Sequence, residues 1–302
     1  MDEPLSENDC GTAMISPGVE IYYELYGQGD EKVLLVMGLG TSATAWVPTV
    51  KWLAQHETDF QFCIFDNRGV GRSSVPPGRY KTSMMAQDAI KLADYLKWDK
   101  FHVAGVSMGG MISQEIALAA PTRVCTLNLA VTHSGGSGSF PVFAGVRGIL
   151  QSQRCKTAAE KAPHILNLMY TESFLKAEVD GMSNVERLTN VFLESVKKLP
   201  PPNEQGMRSQ VLAVNTHSVG KKRLQKLKES GIPILVCTGD TDKLVNPKAS
   251  LYLRSVLNPV EFILWEDCGH GVITQRFDDY NAALIRHCRR RLARDMSTKE
   301  AS

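Results

Sequence analysis

No run of apolar residues in this 302-residue chain approaches the ~18–20 that a membrane span requires; the longest, such as residues 33–37, are strand-sized. Net charge is nearly absent as well. The 34 Lys and Arg against 32 Asp and Glu leave +2, too little for a global field that would gather nucleic acid or anionic lipid. Seven cysteines (10, 63, 125, 155, 237, 268 and 288) are odd in number, scattered and without a Cys-x-x-Cys pair. That pattern argues against a disulfide framework or a zinc knuckle and predicts reduced thiols. The opening residues, Met1-Asp2-Glu3-Pro4-Leu5-Ser6-Glu7, lack the basic and apolar segments of a secretory signal, and Asp2 stands where myristoylation needs glycine. The final Lys299-Glu300-Ala301-Ser302 matches no prenylation, retention or peroxisomal pattern. The expectation from these missing signals is a cytoplasmic protein. Internal repeats and extended low-complexity tracts are also missing.

What is present is the composition of a packed globular chain, 43% hydrophobic and 22% charged, at a length that suits one large domain or two small ones. Residues 12–15 and Val19–Tyr26 flank Ser16-Pro17-Gly18 and predict an opening hairpin. From Lys32 onward, short solid apolar runs (33–37, 62–65, 101–106, 125–131, 232–238, 261–265) alternate with amphipathic segments (44–55, 84–97, 108–119, 247–257, 277–294). Strands apolar on both faces and separated by helices predict a mostly parallel sheet covered on two sides, an α/β architecture.

Between roughly residues 133 and 220 the pattern stops, and loops with helical stretches at 157–170 and 184–198 replace it. The predicted organisation is therefore a core of residues 1–132 and 221–302 with an inserted helical lid, 133–220. An insertion that leaves after one strand and returns before the next sits at the carboxyl edge of the sheet, where ligands bind in open α/β folds.

Gly105-Val106-Ser107-Met108-Gly109 follows one apolar strand and opens a helix, the context that a G-x-S-x-G nucleophile elbow needs. The sharp turn tolerates no Cβ at 105 or 109 and projects the Ser107 hydroxyl above the sheet, while the helix N-terminus favours a developing oxyanion. A serine hydroxyl needs a base, and the base needs an orienting acid. Gly239-Asp240-Thr241-Asp242 follows the next strand but one, and Cys268-Gly269-His270-Gly271 follows the last. Asp242 is the expected acid and His270 the expected base, with Asp240 the competing carboxylate, more simply read as a cap.

The order Ser107, Asp242, His270 resembles the α/β-hydrolase superfamily over residues 19–288 or so. Asp66-Asn67-Arg68-Gly69-Val70-Gly71-Arg72-Ser73 is similar to the family's D-x-R-G-x-G-x-S turn, read here as a structural latch near the site. The resemblance implies an oxyanion loop at Met37-Gly38-Leu39-Gly40, where relatives carry His-Gly-x, and so an oxyanion pair made by the Leu39 and Met108 N–H groups. It implies a serine hydrolase that needs no metal or organic cofactor. Serine at the elbow sets the chain apart from the dehalogenase and epoxide hydrolase branches, whose nucleophile is Asp. The expected substrate is a small-molecule carboxylic ester of small or medium apolar acyl chain, because Leu166, Leu168, Met169, Tyr170, Phe174, Val191, Phe192 and Leu193 offer an apolar lid wall. Thioesterase, lactonase and carbon–carbon bond hydrolase activities remain open alternatives, as does a small-molecule receptor on the same fold.

His102, inside a strand, reads as structural, and His133 as a candidate to line the pocket. The arginines at 286, 289, 290, 291 and 294 and the Lys221-Lys222-Arg223 cluster read as solvated helix surfaces, since neither interleaves aromatics as single-strand binders do. Nucleic acid is thus not an expected partner, and the oligomeric state is left open.

Overall fold

A computed structural model describes residues 9–136 and 143–300. The expectations for Met1–Glu7, for Ser137-Gly138 and for the side chains of Arg291 and Arg294 lie outside the described residues.

Eight strands form one sheet: β1 (Cys10–Ser16), β2 (Val19–Tyr26), β3 (Glu31–Val36), β4 (Phe60–Phe65), β5 (Phe101–Val106), β6 (Val124–Ala130), β7 (Ile234–Gly239) and β8 (Glu261–Trp265). Their spatial order is β1-β2-β4-β3-β5-β6-β7-β8. The β1–β2 and β2–β4 pairs are antiparallel and every later pair is parallel. All six residues of β5 and of β7 are buried, as strands covered on both faces must be.

Alternation along β3 shows how the layers are filled. Leu34 and Val36 join one apolar cluster with Met85, Ile112, Ile116, Leu224 and Leu253. Val33 and Leu35 join the opposite one with Trp46, Val50, Leu53, Tyr280 and Leu284. The first face is covered by α2 (Thr82–Tyr95), α3 (Met108–Ala119), α9 (Lys221–Glu229) and α10 (Pro247–Leu257), the second by α1 (Val47–His56), α11 (Val272–Gln275) and α12 (Phe277–Glu300). The single helix expected at 44–55 is divided into a 3-10 turn, Ala43–Trp46, and α1. Pro48, which has no N–H to donate, falls in the first turn of α1, the one place where a helix tolerates it.

Between β6 and β7 lie α4 (Phe143–Arg154), α5 (Ala158–Met169), α6 (Glu172–Lys176), α7 (Asn184–Lys198) and α8 (Glu204–Asn215), with a two-residue ladder of Glu178–Val179 against Met182–Ser183. A capping box between Thr157 and Glu160 starts α5. Leu166, Tyr170, Leu175 and Leu188 form a small core of their own, with Met169 and Phe174 packed on it. Val191, expected in the apolar wall, is exposed to solvent instead, because the buried side of α7 is the one carrying Asn184 and Leu188.

The described arginines of the terminal helix are not merely solvated. Arg286 and Arg290 pair with Glu261 at the edge strand, and Arg289 pairs with Glu57 beyond α1. Arg223 likewise grips the Glu115 carboxylate with two nitrogens, at 2.9 and 2.6 Å. Among the described residues no disulfide joins the cysteines, and no helix is long and apolar enough to cross a membrane.

Candidate active site

The carboxyl ends of β3, β5, β6, β7 and β8 lie side by side in the parallel part of the sheet, so the loops that leave them share one edge. Ser107 follows β5 and precedes α3 with φ +59 and ψ −122, a conformation that costs a non-glycine residue ~1–3 kcal/mol and persists only where its surroundings enforce it. The enforcement is visible. Ser107 N–H donates to Ala130 O at 3.0 Å, and Thr132 Oγ1 donates to Ser107 O at 2.8 Å. A Cβ on Gly109 would lie 2.0 Å from Val36 O, and one on Gly105 would lie 2.3 Å from Gly109 O. Helix and strands therefore approach as closely as backbone allows.

His270 and Asp242 come together although they leave different strands. His270 Nδ1 lies 2.8 Å from Asp242 Oδ2, and both residues are buried. A carboxylate only accepts hydrogen bonds, so the proton of this bond sits on Nδ1, and Nε2, with no partner among the described residues, is the nitrogen left for a serine proton. Asp242 is itself held by Leu244 N–H at 2.8 Å and Val245 N–H at 2.9 Å, both to Oδ1. Asp240 does not cap the following segment as expected. Its Oδ1 accepts from Cys268 N–H at 3.2 Å and ties the acid loop to the histidine loop.

The loop after β3 passes beside the serine: a Cβ on Gly38 would be 3.2 Å from Ser107 Cβ. The Leu39 and Met108 N–H groups make no hydrogen bond among the described residues. Met108 is fully buried at the first turn of α3, where helix N–H groups lack intrahelical acceptors and the dipole favours negative charge. Met108 directly follows Ser107, and Leu39 directly follows Gly38, the residue that passes beside the serine; unpaired N–H groups next to a serine are the kind of donor that can stabilise a tetrahedral oxyanion.

The turn after β4 braces this loop. Asp66 Oδ1 accepts from Ser42 Oγ and from Ala43 N–H, each at 2.7 Å, while Asn67 Nδ2 donates to Met37 O at 2.9 Å. Arg68 forms a buried pair with Asp88 on α2.

The helices between β6 and β7 meet the histidine loop at the end of α5. Gly271 N–H donates to Met169 O at 2.7 Å, and Tyr170 packs so closely that a Cβ on Gly271 would be 2.3 Å from its ring. Gln275 spans the same seam, its Oε1 accepting from Gly269 N–H at 3.0 Å and its Nε2 donating to Thr171 Oγ1 at 2.9 Å. Sequence reasoning passed over Gln275. A glutamine one turn past the histidine carries no motif.

His102 lies away from these loops, near the amino ends of the strands, bonded to Glu31 at 2.9 Å and Thr126 at 2.8 Å. Burial alone would lower its pKa, but Cys288 and the Glu31 carboxylate outweigh burial and raise it to about 9. His133, past β6, is buried with its ring 6.0 Å from that of His217. Burial lowers His133 to about 4. For His217, burial together with the His133 and Arg223 charges lowers it to about 3.

With this geometry established, likeness to known proteins is informative. The family model of the alpha/beta hydrolase fold matches residues 32–276. A Caulobacter segnis protein provisionally named carbamate hydrolase RutD is 30% identical over 280 residues, 88% of this chain and 95% of its own. The 2-hydroxy-6-oxononadienedioate/2-hydroxy-6-oxononatrienedioate hydrolase of Escherichia coli is 26% identical over 282 residues, 88% of this chain and 90% of its own. Among solved structures, the 2-hydroxy-6-oxo-6-phenylhexa-2,4-dienoate hydrolase of Rhodococcus sp. strain RHA1 superposes with a TM-score of 0.75 at 21% identity, covering 94% of this chain and 99% of that one. The chain belongs to the alpha/beta-hydrolase-fold family and is a hydrolase of that fold.

Proposed function

We propose that this hydrolase cleaves a carboxylic ester of small or medium apolar acyl chain through an acyl-enzyme on Ser107. The observation that carries the reading is the 2.8 Å His270–Asp242 pair, formed at the same sheet edge as a serine held at φ +59. In the first half-reaction His270 Nε2 takes the Ser107 proton as Oγ bonds to the ester carbonyl carbon. The Leu39 and Met108 N–H groups hold the resulting oxyanion. Collapse breaks the bond to the alkoxy oxygen, which leaves with the proton from His270. Water then repeats the sequence on the acyl-enzyme, releasing the acid and restoring Ser107. Asp242 stays ionised throughout and holds the imidazole in the useful tautomer. The apolar acyl side is assigned to the small core at the end of α5, where Met169 and Tyr170 approach the histidine loop and Leu166 packs with Tyr170.

A second reading is a carbon–carbon bond hydrolase with the same triad, favoured by the names of the Escherichia coli and Rhodococcus proteins. Lactonase and thioesterase activities differ from the first reading only in the leaving group. The test is kcat/KM for a panel of aryl acyl esters, a lactone, a carbamate and a vinylogous 1,5-diketone acid, with wild type and Ser107→Ala. Ester turnover that Ser107→Ala loses supports the first reading. Turnover of the diketone alone moves the assignment to the second, and turnover that survives Ser107→Ala removes both.

A further inference from the structure

We infer that Gln210, on lid helix α8, is a positioning residue for the oxyanion loop. The inference rests on the serine-hydrolase reading and adds to it a residue 170 positions distant from the loop it serves.

The buried stripe of α8 is Gly206, Ser209, Gln210 and Ala213. This i, i+3, i+4, i+7 face is made of small and polar residues, suited to meeting backbone instead of an apolar core. Gly206 lies against the turn after β4, where a Cβ would be 2.1 Å from Gly69 O. Ser209 Oγ donates to Gly78 O at 2.9 Å. Gln210, fully buried, spends its amide on two loops: Oε1 accepts from Gly40 N–H at 2.8 Å, and Nε2 donates to Arg68 O at 2.8 Å.

Peptide-plane geometry gives the first of these bonds its consequence. The Leu39 N–H belongs to the Gly38–Leu39 peptide, which has a fixed neighbour on each side. Before it, the Met37–Gly38 carbonyl is held by Asn67 Nδ2 at 2.9 Å. After it, the Leu39–Gly40 peptide is held at both ends, its N–H by Gln210 and its carbonyl by Thr41 Oγ1 at 3.2 Å. Peptide units are rigid and only two dihedrals per residue are soft, so pinning both neighbours sets where the Leu39 N–H points. Gly40 sits at φ +64, a glycine region with a broad basin, and without Gln210 that side of the hinge is restrained by one weak hydroxyl bond. An oxyanion donor is useful only when its direction is fixed before the charge forms.

The test uses three variants of the full chain assayed with the preferred ester. Gln210→Met keeps the volume and removes both hydrogen bonds. Gln210→Glu keeps an oxygen that can accept from Gly40 N–H. Ser209→Ala removes a neighbouring lid anchor that does not touch the loop. Gln210→Met is expected to lower kcat by ~10- to 100-fold with KM within about twofold of wild type, because the lost interaction matters only in the transition state. Gln210→Glu is expected to recover part of that loss, and Ser209→Ala to keep wild-type kcat. Peptide-level hydrogen exchange over residues 37–43 gives a readout independent of turnover, and faster exchange is expected in Gln210→Met alone. Unchanged kcat in Gln210→Met, or an equal loss in Ser209→Ala, overturns the inference while leaving the serine-hydrolase reading intact. If wild type turns over no ester, that reading fails by itself, and exchange at 37–43 still decides whether Gln210 holds the loop.

Discussion

At the scale of single residues, the account turns on a serine in a conformation that serine avoids and on a histidine whose tautomer is fixed by its neighbour. Asp242→Asn tests the second point. The Leu244 and Val245 N–H bonds that Asp242 receives on Oδ1 can be kept by the asparagine oxygen, so the loop should stay in place while the remaining NH2 opposes Nδ1–H and selects the wrong tautomer. The expected result is a kcat reduced by ~10⁴-fold with little change in unfolding midpoint; a loss below about tenfold would show that Asp242 does not orient the base. Ser107, Asp242 and His270 were legible in the sequence because each stands in a short glycine-bearing motif just past a strand. Gln210 and Gln275 were not. Their partners lie across the fold or on an unremarkable loop, and a glutamine bonding backbone leaves no pattern in composition or spacing.

At the scale of elements, legibility followed burial. Parallel strands covered on both faces become solid apolar runs, so β3, β5 and β7 could be placed within two or three residues, and the helical interval between β6 and β7 was marked by the loss of that texture. Helix α8 was missed for a physical reason: its buried face is glycine, serine, glutamine and alanine, which has no hydrophobic period to find. The expected apolar wall was misjudged at Val191, where a correct helix was given the wrong inward face. The elbow itself offers the sharpest test at this scale. Gly109→Ala would place a methyl 2.0 Å from the Val36 carbonyl oxygen, and neither backbone can move without disturbing β3 or α3. Destabilisation of at least about 2 kcal/mol is expected in denaturant unfolding, together with lost activity in whatever fraction remains folded. A variant as stable as wild type would mean that helix and sheet are not in the close contact described.

At the scale of the molecule, four of the buried histidines, His102, His133, His217 and His287, shape stability against pH. For His102 the folded pKa, about 9, is above the ordinary 6.5, so its contribution is complete below 6.5 and is lost as pH rises through about 9. His133, His217 and His287 have the opposite sign. Burial first, and for the latter two neighbouring charges as well, brings their pKa values down to about 4, 3 and 4. The unfolded chain therefore takes up protons that the folded one refuses, and stability falls as pH drops from 6.5 towards 4. Unfolding free energy measured across this range is expected to peak near neutrality, and His102→Gln should flatten only the alkaline limb. An unchanged alkaline limb would remove His102 from the explanation. The central claim, that strands β3, β5, β7 and β8 deliver one activated serine, is tested most directly by intact-mass analysis after treatment with a fluorophosphonate. The account predicts a single adduct, located on Ser107, which is lost in Ser107→Ala and forms at least about 100-fold more slowly in His270→Ala. Wild-type protein that takes up no adduct, or Ser107→Ala that still labels, would contradict it.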